Sequence, residues 1–213
     1  MLKTIRYVAY GLIAVLAAGW GAMWFTGGDV SKLSLANLNL ENLGAVIPGG
    51  VTVGGPFALT DTTGVAVTEA TYRGRWMLVY FGYTFCPDVC PTELQTIVAA
   101  FDRLGPAAAP IVPIFITVDP DRDTQAALAE YVKLFDDRLV GLTGTKDQIA
   151  AAAKSYRVYY AKTTPKDASS YLMDHSSFIY LIGPDGGFRA LYRHGISVQE
   201  LADALKLRLS RGT

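Results

Sequence analysis

Residues 76–83 (WMLVYFGY) are all uncharged and are mostly aromatic, aliphatic or β-branched. A strand with one wet face alternates apolar with polar residues, so an unbroken apolar run is the pattern of a strand covered on both faces. The sheet containing it must therefore carry helices on both sides, and the flanking sequence supplies them. Immediately after the run, Pro91 suits the first position of a helix and Glu93 its positive N-terminus, while Leu94, Ile97, Val98, Phe101 and Leu104 form one apolar face. Gly105-Pro106 ends that helix.

The alternation continues. A strand is expected at 111–118, a helix at 124–135, a short strand at 139–142, and a helix opened by the capping box Thr145 with Gln148. Residues 158–162 read as extended and 177–182 as a second apolar strand. The turn Pro184-Asp185-Gly186-Gly187 leads into 188–192, and Ser197 with Glu200 boxes a last helix. Residues 57–60 and 65–67 form a short hairpin ahead of the first long strand. Strands separated by helices imply a largely parallel sheet, here closed by an antiparallel hairpin. The fold class is α/β, thioredoxin-like with extra hairpins, over residues 53–213.

The N-terminal part is different. Residues 7–25 carry no charge and, at about 1.5 Å per residue, are long enough for a bilayer core, so they read as one transmembrane helix. Lys3 and Arg6 precede it, which places tail 1–6 in the cytoplasm and sends the remainder outward; Tyr7, Trp20 and Trp24 suit the interfaces. In a bacterium this is a single-pass protein of the inner (cytoplasmic) membrane with its main domain in the periplasm. A cleaved signal peptide, cut near Ala17-Ala18-Gly19, leads to the same compartment. Residues 26–52 read as a tether. Nineteen Lys and Arg balance nineteen Asp and Glu, so no basic surface is available for nucleic acid.

The chain has two cysteines, Cys86 and Cys90, in Phe85-Cys86-Pro87-Asp88-Val89-Cys90-Pro91. They lie between the buried strand and the helix that follows, where unpaired N–H groups and the helix dipole favour thiolate. A disulfide across so short a loop adds little stability, so reactivity is the better reason for the pair. The thiolates alone fit either redox chemistry or metal binding. His175, in Asp174-His175-Ser176-Ser177, stands before the strand at 177–182, where thioredoxin-like oxidoreductases usually carry a cis-proline; no proline occurs between Lys166 and Gly183. Two sulfurs and an imidazole make a soft, three-ligand site suited to Cu(I), whereas structural zinc wants a fourth ligand. His194 has no comparable context and reads as a surface residue. Asp119 and Asp121 follow a strand that ends near the cysteines, and Asp174 neighbours the histidine, so these acids are candidates to orient the site or to meet a partner.

Three segments together resemble the Sco/SenC family: 82–91 (GYTFCPDVCP), 118–124 (VDPDRDT) and 174–177 (DHSS). Position 85, often polar or His in relatives, is Phe here. The resemblance implies a membrane-anchored chaperone that takes copper from an upstream periplasmic donor. It implies further that the copper-bearing subunit of cytochrome c oxidase is the partner, either receiving the metal at its copper A centre or having its cysteines reduced. The alternative is therefore a thiol-disulfide oxidoreductase, with Cys86 and Cys90 as its reversible disulfide.

Overall fold

A computed structural model of the chain describes residues 53–164 and 170–211. The expected anchor at 7–25 and tether at 26–52 lie outside the described residues, and among the described residues no helix is long and apolar enough to cross a membrane.

The strands are β1 (Ala58–Asp61), β2 (Ala66–Thr68), β3 (Trp76–Gly82), β4 (Ile111–Thr117), β5 (Val140–Thr143), β6 (Tyr160–Thr163), β7 (Leu172–His175), β8 (Phe178–Ile182) and β9 (Phe188–Arg193). The α-helices are α1 (Val89–Leu104), α2 (Gln125–Lys133), α3 (Lys146–Ser155) and α4 (Val198–Arg211). Seven strands form one sheet in the order β2-β1-β5-β4-β3-β8-β9. The β3/β4 and β4/β5 pairs are parallel; β3/β8, β8/β9, β1/β2 and β1/β5 are antiparallel. This is the thioredoxin-like arrangement, a parallel centre with an antiparallel hairpin at one edge.

Every residue of β3 and β4 is buried, as a strand with helices on both faces requires. Pro113 is tolerated inside β4 because the β4/β5 ladder begins only at Ile114. Helix α1 packs beside α4, α2 against β5, and α3 against β1. The side chains of Thr124 and Thr145 accept the N–H groups of Ala127 and Gln148, so α2 and α3 are capped by local chemistry.

Three features depart from expectation. Helix α1 begins at Val89, which makes Pro91 its third residue; the first turn has no intrahelical use for an N–H, so the proline costs nothing there. Glu93 does not serve the helix N-terminus, being buried at 1% exposure with its carboxylate turned to the β9–α4 connection. The segment before β8 is no simple loop: β7 pairs with β6 in a separate two-stranded sheet, in register Tyr160↔His175 to Thr163↔Leu172.

Candidate metal centre

Cys86 and Cys90 sit where β3 hands over to α1. Asp88, the residue at the cap position, makes no side-chain cap bond. The Cys86 sulfur fills that role by accepting the Cys90 N–H at 3.3 Å. A sulfur that terminates a helix faces the positive end of its dipole. Cys86 is accordingly held far below the ordinary thiol range, by the Cys90 thiol first, then by His175 and the N–H groups of Asp88 and Cys90, all against its partial burial. Cys90 is shifted the opposite way, by its neighbour's sulfur and by complete burial. The pair is thus asymmetric, a half-buried sulfur shifted toward thiolate beside a buried one shifted toward thiol.

His175 arrives from the far end of the domain on the last residue of β7. Its Nε2 lies 3.3 Å from the Cys90 sulfur and its Nδ1 lies 3.2 Å from the Ser176 carbonyl. A carbonyl can only accept, so this contact assigns a proton to Nδ1 and turns Nε2 toward the sulfurs. The ring is fixed edge-on between Tyr80 and Tyr83, with centroids 6.3 and 5.9 Å away. The hairpin end is tied as well: Ser176 N–H donates to the Tyr159 carbonyl and Tyr159 N–H to the Ser176 hydroxyl. As a result, one ligand atom from each of Cys86, Cys90 and His175 lies within 4.8 Å of the others. Among the described residues no other His, Cys, Asp and Glu group of three comes as close together.

The acids behave differently. Asp174 is exposed and follows Met173 on a strand whose side chains alternate, so it projects to the face opposite His175. The ring's Nδ1 is taken by the Ser176 carbonyl, and the expectation that Asp174 orients it is corrected on that ground. Asp121 is held by Lys146 and Lys162, each Nζ 2.9 Å from a carboxylate oxygen. Asp119 is buried and pairs with Arg122 and the Tyr171 hydroxyl. None of these bonds runs to a sulfur. His194, expected as a plain surface residue, is half exposed but places Nδ1 2.6 Å from the buried Glu93, which also accepts the Gly195 N–H at 3.0 Å.

Sequence reasoning missed two supports. Asp123 is fully buried and accepts bonds from the Thr84 N–H, the Thr84 hydroxyl and the Thr117 hydroxyl, which ties the start of the cysteine loop to the end of β4. Burial pushes its carboxyl above the usual range despite those donors. Gly82 lets the Cys90 sulfur approach the backbone of β3: an added Cβ would lie 2.8 Å from that sulfur. A glycine closing a run of bulky residues was the available signal.

A family model described as SCO1/SenC matches residues 47–210. The mitochondrial protein SCO2 homolog of Bos taurus is 39% identical over 199 residues, covering 92% of this chain and 73% of the relative. The mitochondrial protein SCO1 homolog of Homo sapiens is 46% identical over 138 residues, covering 64% of this chain but 46% of its own length. Among solved structures, that of Arabidopsis thaliana ScoI with copper bound is 44% identical with a TM-score of 0.71, covering 75% of this chain and 99% of that one. The match spans the whole described domain, from the first hairpin through the cysteine loop and the histidine strand to α4, and the chain belongs to the SCO1/SenC family.

Proposed function

We propose that the chain binds one copper ion through Cys86, Cys90 and His175 and works in the assembly of cytochrome c oxidase, supplying its copper A centre. The observation that carries this reading is the convergence of two sulfurs and one imidazole nitrogen within 4.8 Å. Such a set is soft and low in coordination number, which suits Cu(I), and it leaves the metal open to an incoming ligand at transfer. The protein's own part is to present a ready thiolate at Cys86, to release the Cys90 proton on loading, and to hold Nε2 toward the pocket through the Nδ1 contact. A related structure at 44% identity has copper bound. The uncharged segment 7–25 supports a single membrane anchor, with the copper domain on the outer side of an inner membrane, supplied by a copper donor in that compartment.

Titration of the purified protein with Cu(I) against a competing chelator tests the reading. One equivalent is bound tightly by the wild type, and His175→Ala loses most of that affinity. Unchanged affinity in His175→Ala refutes the three-ligand site.

The asymmetry of the sulfurs supports a second reading, reduction of a target disulfide. The Cys86 thiolate attacks a target sulfur and frees one target thiolate. Cys90 then attacks Cys86, frees the second target thiolate and leaves the Cys86–Cys90 disulfide, a two-electron exchange. Turnover with a disulfide peptide that survives His175→Ala but not Cys86→Ser supports it.

A further inference from the structure

The two halves of the site meet beside the β3/β8 ladder, in which Tyr80 lies opposite Ile179, four residues after His175. The cysteine loop is anchored to the central sheet through β3, whereas His175 rides on the β6/β7 hairpin, a separate sheet. The β3/β8 ladder holds the chain after His175, and the hairpin before it needs a hold of its own. Arg122 touches both this hairpin and the cysteine loop. Its Nε pairs with the buried Asp119 carboxylate, and one terminal nitrogen donates to the Tyr171 carbonyl at 2.9 Å, directly before β7. The guanidinium carbon lies 3.8 Å from the Tyr171 ring centroid, 4.7 Å from that of Phe85 beside Cys86, and 5.7 Å from that of Tyr83, whose ring edges His175.

The base of this arrangement is firm. Asp119 donates its N–H to the Thr117 hydroxyl at the end of β4 and accepts the Tyr171 hydroxyl at 2.9 Å on its second oxygen. We infer that Arg122 is a positioning residue for the metal centre, a clamp that holds the Phe85–Cys86 loop and the His175 hairpin at ligand distance before metal arrives. The inference rests on the three-ligand reading above. A planar guanidinium can stack on one ring, pair with a carboxylate and reach a carbonyl at once; an ammonium cannot. An ordinary structural ion pair would stabilise the whole domain evenly, whereas a clamp acts on two local segments.

The test uses two variants of the whole protein. Arg122→Lys keeps a positive charge for Asp119 but loses the fork and the stacking. Arg122→Met combined with Asp119→Leu removes the charged pair as a unit, so no buried carboxylate is left alone. In the metal-free protein, amide hydrogen exchange is expected to quicken at least tenfold in β7 and residues 84–88, with β3 and β4 unchanged. Cu(I) affinity, read by chelator competition, falls about 10–100-fold, the range found when groups that orient metal ligands are removed. Wild-type affinity in both variants, or exchange that quickens evenly across the sheet, overturns the inference. His175→Ala run in parallel separates the failures: if it also keeps wild-type affinity, the ligand set is wrong; if it alone loses copper, only the clamp is wrong.

Discussion

Replacing Gly82 by alanine probes how closely the site is built into the sheet. The added Cβ would lie 2.8 Å from the Cys90 sulfur and 2.8 Å from the Phe115 ring, closer than carbon tolerates. Gly82 does not have a positive φ, so the cost comes from space alone. The β3 backbone cannot retreat easily, because Gly82 ends a strand laddered to β4 and, a few residues earlier, to β8. Both obstructing side chains are fully buried at 0% exposure, so one of them must leave a close-packed position. Overpacking of this kind costs about 1–3 kcal/mol. For a domain of this size that is a fall in Tm of roughly 2–4 °C per kcal/mol. The sulfur supplies one of the two clashes, so Cys90→Ala should relieve part of the cost. Chemical denaturation of Gly82→Ala, Cys90→Ala and the double variant forms a cycle, and a coupling of at least about 0.5 kcal/mol is expected. Cu(I) affinity of Gly82→Ala should fall as well, since the sulfur is pushed from its place 3.3 Å from His175 Nε2. Additive costs, agreeing within about 0.3 kcal/mol, would refute the packing argument.

Two further outcomes follow from the charge distribution. Cys86 is held below the ordinary thiol range, so its thiolate persists as pH falls; in the reduced, metal-free protein its alkylation rate should stay nearly flat from about pH 8 to 5, where an ordinary thiol loses about tenfold per unit. Mass spectrometry should place the label on Cys86 before Cys90, and a rate tracking an unshifted thiol contradicts the assignment. Asp136 is held below the usual carboxylate range by the Arg138 side chain and its N–H. A folded-state value below the unfolded one contributes stability at neutral pH that is lost as pH falls through the carboxylate range. Arg138→Ala should therefore flatten the acid side of the stability profile while costing no more than about 1 kcal/mol at neutrality, because the pair is partly exposed. An unchanged acid slope in urea melts between roughly pH 5 and 2 would show that Asp136 gains nothing from Arg138.

The parts of this molecule that the sequence reveals are those coded by neighbours along the chain. The apolar run at 76–83, the capping box Thr145/Gln148 and the cysteines at a strand-to-helix junction each carry their meaning within a few residues. His175 is 85 residues from Cys90, yet it too is legible, because it precedes the strand that an α/β sheet of this order returns to the side of β3. What escapes is chemistry that depends on pairing across the fold with no periodic signature. Arg122 and Tyr171 are 49 residues apart, Tyr171 and Asp119 are 52, and Glu93 and His194 are 101. Glu93 shows why: on a helix surface, a glutamate near the N-terminus is explained by the dipole alone, and only burial against the β9–α4 connection reveals a different partner. The site's components differ in the same way. Ligands must be soft, reactive residue types and so stand out in any sequence, whereas the groups that set their spacing can be any charged or aromatic side chain. The spacing of a metal centre assembled from two sheets is therefore its least legible property and, by the clamp argument, the one most easily changed without touching a ligand.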